Sequence, residues 1–592
     1  MLSGLLTVCT PRCLASTTSR SPRRISTRSA HCTRPSVSRA LHGTTLVYSF
    51  IGFGTQEIAV GGQTTINVTM KASSQSLEEV VVVGYGTQKK SVVTGSISQV
   101  KAEALEGQPV TRIEQSLQGR TSGVFVSANA GQPGTAATVR IRGITTLNNN
   151  DPLYVVDGII VDAGAVQLIN QFDIESIEVL KDASAAVYGT QAAAGAILIT
   201  TKKGKAGKLV VSYNGFGGLS NESRRVRVLN GQEYATLMNE RFVNDGGAPD
   251  SVPYADPASY GAGTNWQDVI FQNAYRQSHD LSLSGGSETS KFYTSFSLID
   301  QEGIVLPEVS RYTRKTFRLN SDHKIGKYLK VGQTATYSNE KSLGVGNTNS
   351  EFGGPLSSAL NLDPLTPVVI TDPAVANAYP YGGPTAQNGI FRDANGNPYG
   401  ISDLVTNEMS NPLAYQEARR GQFGYAHNLA GNAYAEIEPI KGLKYRSVVA
   451  GKWSQYGSEG FTPEYYFNNS GPGNNDVNRI TRDQRHNFYW SIENTLSYDR
   501  IFGDHHITAL IGQAAYVWEG EQGQITTYSN LPVDTWDQAS FGFQVPDAQR
   551  TTSAWTSPDA KIASLFARVT YDYKERYLLN AFIRRDGSTK FG

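Results

Sequence analysis

The sequence predicts a membrane all-β protein: a long antiparallel sheet of the β-barrel type, with a small α+β unit ahead of it. Three observations predict this. From Leu209 onward apolar residues recur with period two, which sets one face of each strand against lipid and the other in a wet lumen. The connections between those strands alternate between short and long, the parity of a membrane barrel. No run in the chain reaches the ~18 apolar residues a spanning helix needs, and the densest short run is Val80–Val83.

Composition agrees without deciding. Hydrophobic content is 39%, with 30 Tyr, 22 Phe and 59 Gly. That suits barrel strands with aromatic girdles and glycine turns, and suits a secreted β-sandwich about as well. A formal net charge of +1 gives no electrostatic footprint for nucleic acid. The three cysteines, Cys9, Cys13 and Cys32, all fall in the first 32 residues. A cysteine-free body suits an exported protein that avoids stray disulfides.

Taken in order, residues 1–43 stand apart, with seven arginines and no Lys, Asp or Glu. Leu2–Val8 is a short apolar stretch with no charge before it and the Arg-rich part after it, the reverse of a secretory signal. An organelle transit peptide has a similar composition. The segment is read instead as an anomalous leader, a wrong start or out-of-frame stretch joined to the gene. From Thr44, TTLVYSFIGF, TQEIAV and TTINVTM are three strand-like runs separated by Gly-containing turns. Next, SLEEVVVVGYGTQKK (Ser76–Lys90) sets four valines after two glutamates, a strong strand former. On its residues alone it reads equally as a linker or as the first buried strand of the unit after it.

In that unit, IEQSLQGRTSGVFV (Ile113–Val126) reads as a short helix ending near Gly119, then a strand. Three further strand-like runs are Val139–Ile144, Leu153–Val161 and Ala196–Thr201. Arg140 and Arg142 fall on one face of the first of these. Between the last two, Ile174–Tyr188 is read as helical, so that Glu175 and Glu178 share a face with Lys181 close by. Asp157 and Asp162 flank GIIV, where DG after a strand is turn chemistry before it is an acid/base pair.

About eleven strands come next, starting near Leu209, His279, Ser290, Arg311, Tyr328, Gly424, Leu443, Asn487, His505, Ile562 and Tyr577. In one, Phe292, Thr294, Phe296 and Leu298 alternate with Tyr293, Ser295 and Ser297. GGSET, KIGK, PIKG, RIFGD and YKER are the short turns, and 219–278, 302–310, 341–423, 456–486 and 519–561 the longer connections.

Catalytic signatures are missing from the sequence: no GxSxG, HExxH, Walker loop or Cys/His metal spacing. His505-His506 opens a strand beside a turn and reads as an interfacial pair rather than a metal site. Gly84-Tyr-Gly86 and Gly215–Gly218 lack the strand–GxGxxG–helix context of a dinucleotide site. No enzyme, cofactor or metal is expected.

VRIRG, PLYVVDG, DIESIEVLKDASAA and ILITTKKG, in this order and spacing, resemble the plug domain of TonB-dependent outer-membrane receptors, in particular the SusC/RagA family. The resemblance implies a division of the chain. Residues 44–72 would be the tail of a carboxypeptidase-regulatory-like β-sandwich, 76–90 a TonB-coupling segment, 91–208 the plug, and 209–592 the N-terminal half of an outer-membrane barrel. The family's barrels have twenty-two strands, so an incomplete antiparallel β-barrel is expected and the chain reads as a fragment. Glu78, Glu79, Val80, Val81, Val82, Val83 and Gly84 match the coupling position, where periplasmic TonB would pair by strand addition and pull. Arg140, Arg142, Glu175, Glu178 and Lys181 are expected to lock plug to barrel, with solvated or local ion pairs as the alternative. Where the family usually reads YGSRAANG, this chain has Tyr188-Gly-Thr-Gln-Ala-Ala-Ala-Gly195, so Gln191 carries over no charge role.

The implied function is TonB-dependent import of a nutrient, an oligosaccharide or a peptide, with a SusD-type surface lipoprotein as partner, outer-membrane lipid around the barrel and no nucleic acid. Two other readings stand beside it. For a non-transporting glycan adhesin the plug and the EEVVVV segment would be superfluous, and against a siderophore or cobalamin receptor stands the SusC-like wording of the plug. Tyr379, Tyr381, Tyr399 and Trp536 in the long loops offer faces for stacking on sugars, and serve equally as interfacial anchors.

Overall fold

The computed structural model describes residues 96–590 apart from 107–111, 129, 148, 162, 167, 347–352, 406–408 and 470–472, together with four short strands nearer the N-terminus. The chain divides into two units, 1–78 and 79–592. In the first, β1 (Thr45–Tyr48) pairs antiparallel with β2 (Gln56–Ala59). The third run expected there, 64–70, and the leader lie outside the described residues.

The second unit opens on an antiparallel pair, β3 (Val80–Val82) and β4 (Thr87–Lys89). The plug continues with β5 (Ile97–Lys101), β6 (Val124–Ala128), β7 (Ala137–Ile141), β8 (Leu153–Val156), β9 (Ile159–Val161), β10 (Ile174–Leu180) and β11 (Ala196–Thr201). Five of these form one sheet in the order β5-β10-β11-β8-β9, with β8 and β11 parallel, while β6 and β7 pair separately. The helix read over Ile174–Tyr188 is corrected: β10 is a central strand, followed by a 3-10 helix over Asp182–Tyr188. A strand covered on both faces reads as a nearly continuous apolar run, which periodicity alone does not separate from a buried helix. Ile174, Ile177 and Val179 are fully buried with Ile197 and Ile199 in one core.

Thirteen strands build the large sheet: β12 (Gly207–Ser220), β13 (Ala274–Gly286), β14 (Ser290–Glu302), β15 (Arg311–Ile325), β16 (Leu329–Leu343), β17 (Phe423–Ile440), β18 (Leu443–Thr462), β19 (Arg479–Phe502), β20 (His505–Trp518), β21 (Gln522–Ser529), β22 (Arg550–Thr556), β23 (Ala560–Tyr573) and β24 (Tyr577–Ser588). Eleven run in sequence order, all antiparallel; β21 and β22 branch off as a hairpin on the far half of β19. That hairpin lies in the stretch 519–561, expected as loop. It forms because β19 is 24 residues long, and its Arg479–His486 half outruns β20 and pairs with β21 instead. No helix among the described residues is long and apolar enough to cross a membrane.

The alternation has the expected sense. Phe296 is 49% exposed on the outer face, while Ser295 and Ser297 beside it are 4% and 2% exposed toward the lumen. Register aligns Phe296, Phe317, Tyr337, Leu429, Trp453 and Phe488 in one row across six strands. Such a row is a lipid-facing aromatic girdle. Phe296→Lys should cost no more than about 1 kcal/mol, since a girdle row lies near the interface, measured by urea titration of the receptor in lipid vesicles. A cost of about 2–4 kcal/mol, the midplane value, would place Phe296 deep in the hydrocarbon instead.

Candidate plug–barrel seam

The plug meets the inward face of the sheet through an apolar patch, where Leu180, Val187 and Tyr188 cluster with Tyr489, Leu510, Tyr516 and Phe566, and through a few buried polar contacts. Asp157 and Gly158, both at positive φ (50° and 88°), make the two-residue turn from β8 to β9, the primed geometry that matches strand twist. The turn aims the Asp157 carboxylate outward from the plug. It accepts from the Thr201 backbone N–H at 3.0 Å and hydroxyl at 2.7 Å, and from Arg318 Nη2 of β15 at 3.1 Å. Arg318 also donates to Thr201 Oγ1, and to Thr336 Oγ1 at 3.1 Å. Asp157 and Arg318 are 7% and 2% exposed, so this is an ion pair withdrawn from water. It persists because hydrogen bonds on both partners offset the desolvation.

Two further contacts lie on the neighbouring strands. Asn170 donates to the Asp280 carboxylate of β13 at 2.6 Å, and Tyr293 of β14 donates to the Asp173 carboxylate at 2.8 Å. At the other end of the sheet Arg584 of β24 donates to the Val187 carbonyl at 3.0 Å. Gly189 (φ 80°) completes that contact, since a Cβ there would overlap the Asp586 carboxylate and the Arg584 guanidinium.

The residues expected to lock plug to barrel sit elsewhere. Arg140 pairs with Asp151 at 2.5 Å within the plug. Arg142 lies past the end of β7 at φ 56°, so the two arginines do not share a strand face, and the Arg142 backbone N–H bonds the Gly123 carbonyl at 2.8 Å. Glu175 is exposed at a bulge in β10, where the register shifts between Ile174 and Ser176, while Glu178 is buried, so the two do not share a helix face. Glu178 is buried and accepts from Gln99 at 2.8 Å; Lys181 is buried and donates to Ser98 at 2.7 Å and to the Ser122 carbonyl at 2.5 Å. Glu178 and Lys181 therefore tie the plug together internally. Burial holds the Glu178 carboxyl above its ordinary range, as it does Glu114. Of the coupling residues, Val80, Val81 and Val82 form β3, opposite Lys89, Gln88 and Thr87; Glu78, Glu79, Val83 and Gly84 lie outside the described residues.

Between Gly164 of the plug and the inward faces of β15–β19 is a cavity of about 640 Å³, lined by Tyr312, Glu340, Asn428, Lys452, Ser454 and Arg485 among others. Tyr312 donates to Glu340 at 2.9 Å. Ser454 is 3% exposed, and its hydroxyl has no hydrogen-bond partner among the described residues. Of the loop aromatics, Tyr381 is buried with its hydroxyl on the Ile401 backbone, and Tyr399 packs in a loop core with Phe467. Only Tyr379 and Trp536 of the four are exposed. His505 bonds Tyr571 at 2.8 Å and His506 bonds Asp499 at 3.2 Å.

Local pattern does not single out the seam residues Arg318, Asp280, Tyr293 and Arg584. Their signal in the sequence is a polar residue at an inward strand position, as in Arg314, Thr316, Arg318 and Asn320, but period two marks a whole lumen face and not the few positions a plug touches.

The TonB-dependent Receptor Plug Domain family matches residues 89–196. TonB-dependent receptor P26 of Formosa agariphila is 32% identical over 565 residues, which cover 92% of this chain and 52% of that protein. TonB-dependent receptor SusC of Bacteroides thetaiotaomicron is 32% identical over 567 residues, covering 93% of this chain and 53% of its own. The chain thus spans about half the length of the curated relatives it matches. Among solved structures, the RagAB peptide importer in its open-open state shares the fold at a TM-score of 0.69 and 24% identity, covering 87% of this chain and 57% of that one.

Two outcomes are expected of the seam and the plug core. Arg318→Met leaves Asp157 buried without its cation and should cost about 3–5 kcal/mol, read as lost hydrogen-exchange protection in β8 and β11; adding Asp157→Asn, which removes the charge, tolerates the positive φ and still accepts from Thr201, should restore part of it. Glu178 has a raised carboxyl in the folded plug, so its stabilising protonated form is complete below about 4.5 and is lost as pH rises through the folded value. Glu178→Gln should therefore flatten the decline of plug stability with rising pH, as followed by thermal melting.

Proposed function

Over its plug and barrel strands this chain belongs to the SusC/RagA family of TonB-dependent outer-membrane receptors, and from that premise we propose that the protein imports an oligosaccharide through the plugged lumen. The observation that carries the reading is a polar cavity between the plug and the wall, on the side of the long loops. Ser342, Asn428, Ser454, Ser458 and Asn487 line it, and the Ser454 hydroxyl, without a partner among the described residues, suits a polyhydroxylated ligand, since a buried polar atom without a partner is costly. A SusD-type lipoprotein delivers the ligand from outside, and a peptide is the alternative cargo. An adhesin has no use for a lumen closed by a removable domain.

TonB supplies the force at Glu78–Gly84. The edge of β3 that β4 leaves open can accept a partner strand, and traction on a backbone-paired strand is transmitted to the plug. The seam contacts would then yield in turn, while Glu178 and Lys181 keep the plug's own sheet intact.

The test is uptake of labelled oligosaccharides and labelled peptides by cells carrying the receptor. Val81→Pro removes a backbone donor from the coupling strand and should abolish oligosaccharide uptake without abolishing surface binding. Uptake that survives both Val81→Pro and collapse of the proton-motive force would overturn TonB coupling, and uptake of peptides alone would overturn the cargo.

A further inference from the structure

The outer face of the sheet changes character at a single row. Next to the Phe296–Phe488 girdle, on the long-loop side, register aligns Lys315, Asn339, His427, Gln455 and His486 on five adjacent strands. Five strands turn polar together, which marks the level where hydrocarbon gives way to headgroups. Within this border β15–β17 concentrate positive charge. Lys315 stands directly opposite Asn339, which stands directly opposite His427; Lys341, one row further out, is diagonal to both Lys315 and His427. Diagonal neighbours of this kind lie ~7–8 Å apart, a span that lysine side chains close around one phosphate.

The patch is organised. Tyr337 OH lies 2.9 Å from His427 Nδ1, and Asn339 Nδ2 3.4 Å from the same atom. The Lys341 ammonium sits 4.5 Å from the Phe423 ring centroid. Lys315 is exposed. The one carboxylate diagonal to Lys315, Asp300, is held by Arg311 at 2.8 and 2.6 Å, so its charge is offset and the two lysines leave the patch net positive. Below it the aromatic row offers Phe317, Tyr337 and Leu429 to acyl chains.

From this geometry we infer a binding site for the phosphate of an outer-leaflet lipid, made by Lys315, Lys341, Asn339 and His427, with its acyl chains on the girdle. The site rests on the barrel's membrane orientation and not on transport. Charge complementarity and continuity with the lipid-facing girdle select a membrane lipid over a soluble phosphate, because a free anion gains nothing from the apolar row.

The receptor, purified in detergent micelles doped with bis-phosphorylated lipid A or with its dephosphorylated form, is examined by native mass spectrometry for retained lipid. Wild type should retain the phosphorylated lipid preferentially. Lys315→Gln/Lys341→Gln should bind it about 25-fold more weakly, at about five-fold per lysine near a charged lipid surface. Lys324→Gln, at the opposite end of β15, should bind as wild type, and far-UV circular dichroism of the double variant should match wild type because both lysines are exposed. Equal retention of the two lipids, undiminished binding in the double variant, or displacement of the lipid by inorganic phosphate alone would overturn the site.

Discussion

In hydrocarbon no water is available to a peptide group, so every backbone N–H and C=O within the membrane must bond inside the protein. Most of the architecture descends from that constraint. It requires a continuous antiparallel ladder, and the ladder from β12 through β20 to β24 is unbroken. A ladder has two faces with period two, so lipid on one side forces Phe296, Phe317 and Leu429 outward and leaves Ser295, Arg318 and Asn428 to the lumen. The inward face is polar over these strands and turns apolar at Leu510, Tyr516 and Phe566, where the plug packs.

A polar wall then dictates how a plug can be held. A wholly apolar plug surface would leave Arg318 and Asp280 dehydrated without partners, at several kcal/mol each. The plug instead brings two carboxylates, an amide and a carbonyl to β13, β14, β15 and β24, where Asp280, Tyr293, Arg318 and Arg584 each find a counterpart. These contacts are few and directional, and they flank an apolar patch shared by plug and wall, whereas the plug's own core of Ile174, Ile177 and Ile197 is wholly apolar.

Much of the architecture is legible in the sequence because it rests on local pattern. The alternation in Phe292–Leu298 shows strand type, facing and membrane setting, and the parity of the connections shows the order of the ladder. The short helix at Ile113 and the turn at Asp157-Gly158 are likewise local. Ile174–Leu180 reads as a helix because a strand buried on both faces loses its period, and with that reading falls the pairing of Glu175 with Glu178. The hairpin β21–β22 escapes for a related reason: its pairing partner, the Arg479–His486 half of β19, is distant in sequence.

Charge is the least legible feature. Arg140, Glu178 and Lys181 look like candidates for a plug–barrel lock and pair within the plug, whereas Asp157 looks like a turn residue and carries an ion pair to Arg318 of the barrel, 161 residues away. The sequence by itself determined the strands, their facing and the plug's presence, because side-chain alternation and turn chemistry are decided over a few neighbouring residues. Only the tertiary structure decided which charged groups meet across the seam, and which lysines gather at the membrane border. Both depend on register between strands and on where the plug comes to rest, and those are set by assembly of the whole sheet rather than by any single stretch of chain.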